Sequence, residues 1–282
     1  MPELPEVETV MRGMERALTG KVIQGAQIRR PDLRVPFPEN LAARLSGQTI
    51  TNFRRRAKYI LMTLSSGETF ILHLGMSGRV MIIPDGQGVT PEKHDHLLWD
   101  TKDGTRFIYR DPRRFGMVYM IAANEDIEAH PAFRAMGPEP LGNEFAGPVL
   151  YERLKNKKTP IKSALLDQRV VAGLGNIYVC EALYRSAVHP EKQAGAIQQE
   201  KCDKLAAHIR DILSEAIKSG GSTLKDYRHT DDGLGYFQHS FAVYDREGLA
   251  CPACDCDMIE TGGIKRMVQA GRSTFYCPEK QK

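Results

Sequence analysis

The first residues, MPELPE, hold the densest chemistry in the chain. If Met1 is removed, Pro2 becomes a free secondary amine, a good nucleophile toward an aldehyde-level carbon. The iminium it forms has no N–H to lose, so it stays charged and acts as an electron sink. Glu3 stands beside it as a proton donor or acceptor, and Glu6 follows in a supporting position on the first helical turn. With Met1 attached, the same nitrogen is an amide and cannot attack. A proline and two glutamates also begin many helices and complement the helix dipole, so these residues alone leave both readings open.

Other positions offer further chemistry. Lys58 follows Arg54, Arg55 and Arg56, a setting that suits proton transfer or phosphate contact. Met76 lies between glycines in HLGMSG, and Arg113 and Phe115 lie in DPRRFG. These three could wedge into a base stack, or could be core residues at strand ends. Asn176 follows Gly173 and Gly175 at a helix start, where backbone N–H groups can approach a phosphate. The tail holds Cys251, Cys254, Cys256 and Cys277 within its last 32 residues. With no secretory signal, such a cluster reads as a metal site before a disulfide framework. Lys280 stands where a second knuckle would carry its partner cysteine. The four cysteines supply four thiolates if the first arm wraps around the ion; a weak or empty site stays open.

These residues need a scaffold. The 282 residues are enough for one or two domains with real cores. Positions 5–18 carry apolar residues at helical spacing. Short apolar runs at 21–29, 59–64, 69–74, 79–83, 96–100, 105–109 and 117–121 predict an antiparallel sandwich or barrel. A Pro/Gly-rich stretch at 135–148 reads as a linker. Helical patterns follow at 149–155, 161–167, 176–186 and 197–218, then a polar loop at 222–240 and a strand-like tail. The expected organisation is α+β and multidomain. It comprises an N-terminal domain over 1–134, helices over 149–240 and a hairpin tail over 241–282. The balance of 39 Lys+Arg against 35 Asp+Glu is only mildly basic, but the cations cluster at 54–58, 106–114 and 155–162. Clustered cations can form one stripe on folding, which suits nucleic acid. No segment reads as a membrane span or signal peptide, so a cytoplasmic protein is expected.

Taken in order, these blocks resemble one family. MPELPEVETV, RRAKYI at 55–60, HLGMSG at 73–78, KHDH at 93–96, DPRRFG at 111–116 and MGPEPL at 136–141 look like formamidopyrimidine-DNA glycosylase. So do AGLGNIYV at 172–179, GGSTLKDY at 220–227 and GRSTFYCP at 271–278. The resemblance implies a base-excision repair enzyme of bacterial type, expected to be monomeric. Its partner would be double-stranded DNA carrying oxidised purines or abasic sites, with the damaged nucleotide flipped out. It implies a β-sandwich with flanking helices, a helix–two-turn–helix domain and a zinc-ribbon-like hairpin holding one structural Zn²⁺. By motif, Pro2 resembles the nucleophile, Glu3 its proton donor, and Lys58 the acid of β-elimination. Arg272 resembles the ribbon arginine linked to δ-elimination. His94, Arg113, Lys157 and Asn176 fall on DNA-binding positions, and Met76, Arg113 and Phe115 on void-filling ones. The loop 222–238 would cover the extruded base. Three alternatives compete. An endonuclease VIII-like glycosylase for oxidised pyrimidines would begin MPEGPE. A DNA-binding protein that has lost catalysis would not need Pro2, Glu3 and Lys58. A tautomerase with an N-terminal proline would share only Pro2.

Overall fold

The structure, a computed structural model, describes residues 1–86, 88–223, 229–231 and 233–282. They form two compact units. The first comprises Met1–Phe133 with Ser219–Tyr236; the second comprises Arg134–Lys218 with Phe237–Lys282.

The first unit opens with α1 (Leu4–Leu18), whose buried face is Leu4, Val7, Val10, Met11, Met14 and Leu18. That spacing follows the helical period, and Gly20, at φ 81°, turns the chain out of the helix. Then come β1 (Ile23–Ile28), α2 (Leu41–Leu45), β2 (Ile50–Arg56), β3 (Tyr59–Leu64), β4 (Thr69–His73), β5 (Arg79–Ile83), β6 (Asp95–Thr101), β7 (Arg106–Arg110) and β8 (Met117–Ile121). Two four-stranded sheets result, ordered β1-β6-β7-β5 and β2-β3-β4-β8, with every pairing antiparallel. One core joins both sheets and α1. Phe70 from the second sheet meets Trp99 edge-on at 5.7 Å, and Trp99 stacks on Phe107 at 3.6 Å. The expected sandwich is present, but β2 and α2 lay outside the sequence reading. Strand β2 buries only Ile50 and Phe53 and carries three arginines, as an edge strand can.

The second unit contains α3 (Gly147–Leu154), α4 (Ile161–Leu166), α5 (Asn176–Arg185), α6 (Gln199–Lys218), α7 (Met258–Thr261), and the hairpin β9 (Lys265–Gln269) with β10 (Arg272–Tyr276). Helix α6 packs on α3 and α5, and α5 packs on β10. The buried Glu181 carboxylate on α5 accepts the backbone N–H groups of Ala242, Val243 and Tyr244 at 2.9, 2.9 and 2.8 Å. Burial pushes its pKa up against the opposing pull of these bonds. This carboxylate starts the tail on its path.

Two segments differ from their reading in sequence. The stretch at 135–148 is held in the second unit, where Gly137 N–H donates to Gln168 O and Ala172 N–H to Pro138 O. The loop following α6 packs with the first unit, where Ser222 bridges Tyr236 and Ile82 N–H donates to Thr230 O at 3.0 Å. Within the expected capping loop, residues 224–228 and 232 lie outside the described residues. Among the described residues, no helix is long and apolar enough to cross a membrane.

Candidate active site

Pro2, Glu3 and Glu6 are buried together at the start of α1. Glu3 is the N-cap and forms a reciprocal capping box with Glu6, whose Oε2 accepts Glu3 N–H at 2.9 Å. The other Glu6 oxygen, Oε1, accepts both the N–H and the hydroxyl of Ser222, at 2.8 and 3.0 Å. Glu6 therefore fixes the N-terminal turn and the first residues of the 219–236 segment at once. Met1 is half exposed, at 46%.

Lys58 is buried in the two-residue turn between β2 and β3, beside Ala57 at φ 52°. The half-buried Arg55–Glu8 ion pair, 2.8 Å, ties this hairpin to the second turn of α1. Burial, with the Lys58 and Arg34 charges, pushes His73 down to about 4, so its ring is neutral. Its Nδ1 accepts Gly75 N–H at 3.1 Å. Met76 is half-buried on the turn between β4 and β5. Phe115 is 41% exposed, and the Arg113 guanidinium lies 5.1 Å from its ring centroid. These two turns meet backbone to backbone. A Cβ on Gly75, at φ 65°, would strike the Phe115 and Gly116 backbone, which requires glycine there. His94 sits half-buried just before β6.

In the second unit, Asn176 opens α5 and its Nδ2 donates to Ser273 O at 2.9 Å. Its Oδ1 is buried with no partner among the described residues. Lys162 Nζ, also buried, donates to the same carbonyl at 2.9 Å and to Thr274 Oγ1 at 2.6 Å. Arg272 is exposed at the start of β10, after a turn in which Ala270 and Gly271 have φ 48° and 73°. Lys157 is half-buried in the loop after α3.

The basic clusters resolve differently from their reading in sequence. Arg106 binds Asp100 through two 2.7 Å contacts, Arg110 binds Asp95 at 2.6 Å and Glu92 at 2.8 Å, and Lys162 is internal. Arg54, Arg113, Arg114 and Lys158 remain exposed.

The sulfurs of Cys251, Cys254, Cys256 and Cys277 lie within 4.8 Å of one another. Cys254 and Cys256 are joined as a disulfide, with Cys277 Sγ at 3.4 and 3.2 Å from them. With that bond reduced, four thiolates match the roughly 3.8 Å sulfur spacing that a tetrahedral zinc at about 2.3 Å requires. Lys280 N–H donates to Cys277 Sγ at 3.4 Å, a bond that supports a thiolate. Burial pulls Cys251 up, but the Tyr184 hydroxyl at 3.0 Å and the Ala253 N–H outweigh it, and its net shift is downward. Cys256, not position 280, supplies the fourth sulfur of the cluster. The Lys280 ammonium instead lies 4.6 Å over the Tyr184 ring. The donor set fits a metal ion.

Residues 1–118 match the model of the formamidopyrimidine-DNA glycosylase N-terminal domain, and residues 136–228 that of the H2TH domain of the same enzyme. A protein of Roseobacter denitrificans named formamidopyrimidine-DNA glycosylase is 53% identical over 289 aligned positions, covering 100% of both chains. The chain belongs to the formamidopyrimidine-DNA glycosylase family. Among solved structures, MutM (Fpg) of Thermus thermophilus is 37% identical with a TM-score of 0.86, covering 99% of this chain and 98% of that one. A Lactococcus lactis Fpg variant in complex with Fapy-dG-containing DNA is 35% identical with a TM-score of 0.88, covering all of both chains.

Within this glycosylase-family scaffold, sequence reasoning passed over Ser77, Asp111 and Glu181, and counted Lys162 only among the surface cations. Each is polar and buried. The available signal was a polar residue inside a Gly-rich turn or an apolar helix, where burial demands a partner.

Proposed function

We propose that this protein is a DNA glycosylase with abasic-site lyase activity, acting on oxidised purines such as 8-oxoguanine and formamidopyrimidines in duplex DNA. The observation that carries the reading is the buried Pro2–Glu3 pair at the α1 N-cap, braced by Glu6. Family membership and the Fapy-dG DNA bound by the Lactococcus lactis relative support it.

After Met1 is removed, the Pro2 nitrogen attacks the sugar C1′. The N–C1′ bond forms, the glycosidic bond breaks and the base leaves with a proton. Glu3 supplies a proton as the sugar ring opens to the iminium. Loss of a C2′ proton then breaks the C3′–O bond, with Lys58 as the acid that serves the departing phosphate; loss of the C4′ proton next breaks the C5′–O bond in δ-elimination, assisted by Arg272. Water finally releases Pro2. A rigid N-terminal turn keeps nucleophile and acid on the same sugar. Met76, Arg113 and Phe115 fill the gap left by the flipped nucleotide. His94, Arg113, Lys157 and Asn176 hold the DNA backbone. Cys251, Cys254, Cys256 and Cys277 would hold a structural zinc, which when bound would cross-link the tail and take no part in the reaction.

Borohydride reduction during reaction with an 8-oxoguanine·cytosine duplex tests this. One covalent adduct is expected, and peptide mapping should place it on Pro2, the N-terminal residue of the processed chain. No adduct, or one on an internal lysine, would overturn the assignment. Protein that retains Met1 should give none.

A further inference from the structure

The side chains that fill the duplex sit on two turns, 74–78 and 111–116. Turn tips are imprecise scaffolds unless their backbone is fixed from below. Here the fixing group is Asp111, which has no exposed surface. Its Oδ1 accepts the Ser77 hydroxyl at 2.7 Å. Its Oδ2 accepts Gly116 N–H at 2.8 Å and the Tyr109 hydroxyl at 3.3 Å. Ser77 Oγ in turn accepts Arg113 N–H at 3.2 Å. The Asp111 main chain adds three bonds: its N–H donates to His94 O at 3.0 Å, and its carbonyl meets His96 Nε2 at 2.8 Å and accepts Arg114 N–H at 3.2 Å. One buried residue thus ties together the turn carrying Met76, the turn carrying Arg113 and Phe115, and the segment carrying His94.

The surrounding packing has the same logic. A Cβ on Gly78 or on Gly116 would collide with the Tyr109 hydroxyl, so that hydroxyl lies directly against both turns. Burial, then the Asp111 charge, pushes the Tyr109 pKa well up and keeps it a donor. Gly75 lies directly against the Phe115 backbone, so the two tips also touch each other.

We propose that Asp111 is a positioning residue for lesion extrusion: with Ser77, it locks both tips into the one arrangement in which Met76, Arg113 and Phe115 enter the duplex together. This rests on the function proposed above. Asp111 touches no substrate; it acts through the three side chains whose turns it holds.

Two substrates separate this role from ordinary fold support. An 8-oxoguanine·cytosine duplex requires a base stack to be opened and filled. A single-stranded abasic oligonucleotide has no stack to fill and needs only the iminium chemistry at Pro2. Asp111→Asn keeps the side chain's size but turns one acceptor into a donor. It should slow single-turnover excision from the duplex by about tenfold, the effect of one misplaced buried hydrogen bond. Cleavage of the single strand should stay within about twofold on the same reasoning. The 2-aminopurine signal of a base stacked beside the lesion should rise more slowly in the variant, in step with excision. Ser77→Ala should show the same split to a smaller degree, and it decides alone if Asp111→Asn does not fold. Equal slowing on both substrates, or no slowing on either, would overturn the proposal while leaving the glycosylase reading intact. A wild type inert on both would overturn both.

Discussion

Glu6→Gln is the sharpest perturbation of the catalytic turn. The native carboxylate is 2% exposed, and its donors include Glu3 N–H on one oxygen and the N–H and hydroxyl of Ser222 on the other. A glutamine of the same size has one carbonyl oxygen and one NH2. Its better orientation keeps the oxygen toward the two Ser222 donors and points the NH2 at Glu3 N–H. One charge-assisted bond is then lost and two donors face each other in a buried site, at about 2–3 kcal/mol. Two readouts follow. Thermal unfolding of the first unit should fall by about 5–10 °C, scaling that energy by the unfolding entropy of a domain of this size. If the misalignment is carried into the transition state at Pro2, single-turnover excision should slow by roughly 30- to 150-fold. Rapid-quench kinetics at saturating enzyme separate this from weakened DNA binding. A variant within twofold of wild type in rate and unchanged in unfolding temperature would refute the view that Glu6 braces the nucleophile.

Further tests reach the rest of the molecule. His73 has its pKa lowered from 6.5 to about 4, so the unfolded chain binds its proton first as pH falls. Its contribution is present above about pH 6.5 and is lost as pH falls toward 4, up to roughly 3 kcal/mol. Urea unfolding at pH 7 and pH 5 should show this loss in wild type and much less of it in His73→Gln; identical pH slopes would count against it. Metal analysis of reduced protein should give one zinc per chain, and Cys256→Ser should lower that ratio whereas Lys280→Ala should not. Chelation should raise the dissociation constant for DNA before it changes the adduct yield at saturating DNA. Excision at limiting enzyme should fall steeply with salt, because phosphate contacts release counterions; a flat response would argue against the exposed cations forming the DNA face.

Much of the scaffold could be read in advance, because it follows period and punctuation. Helix α1, strands β3, β5 and β8, and the long α6 carry strong apolar repeats between turn residues, and they stand within a residue or two of where those repeats place them. Strand β2 escaped because ITNFRRR has two core residues and three cations, a pattern set by its edge position rather than by local preference. The 219–236 segment escaped for a different reason. Its partners, Glu6 and strand β5, lie far away in the chain, and long-range pairing leaves no local periodicity to detect. The same holds for the charges. Arg106 and Arg110 face Asp100 and Asp95 only once β6 and β7 pair, so a count along the sequence overstates the free cations.

The cysteine tail shows how topology decides what spacing leaves open. A two-knuckle ribbon needs a cysteine three residues after Cys277, and Lys280 stands there. Three cysteines in six residues would be unsuitable if that arm ran straight, since Cys251 would point to the face opposite Cys254 and Cys256. Instead the arm turns after Cys251, Asp257 caps the short α7 with its side chain, and Ile264 N–H bonds back to Leu249 O. The fold thereby curls the arm around Cys277, and all three sulfurs face it. Position 280 is then released from ligation, and its ammonium covers Tyr184, whose hydroxyl bonds Cys251. A fifth cysteine placed there would compete for a position already supplied by Cys256. Lys280→Cys should therefore leave the zinc stoichiometry at one, while Cys256→Ser in that background should lose far less metal than Cys256→Ser alone. Equal losses in the two backgrounds would show that position 280 is too far from the cluster to serve.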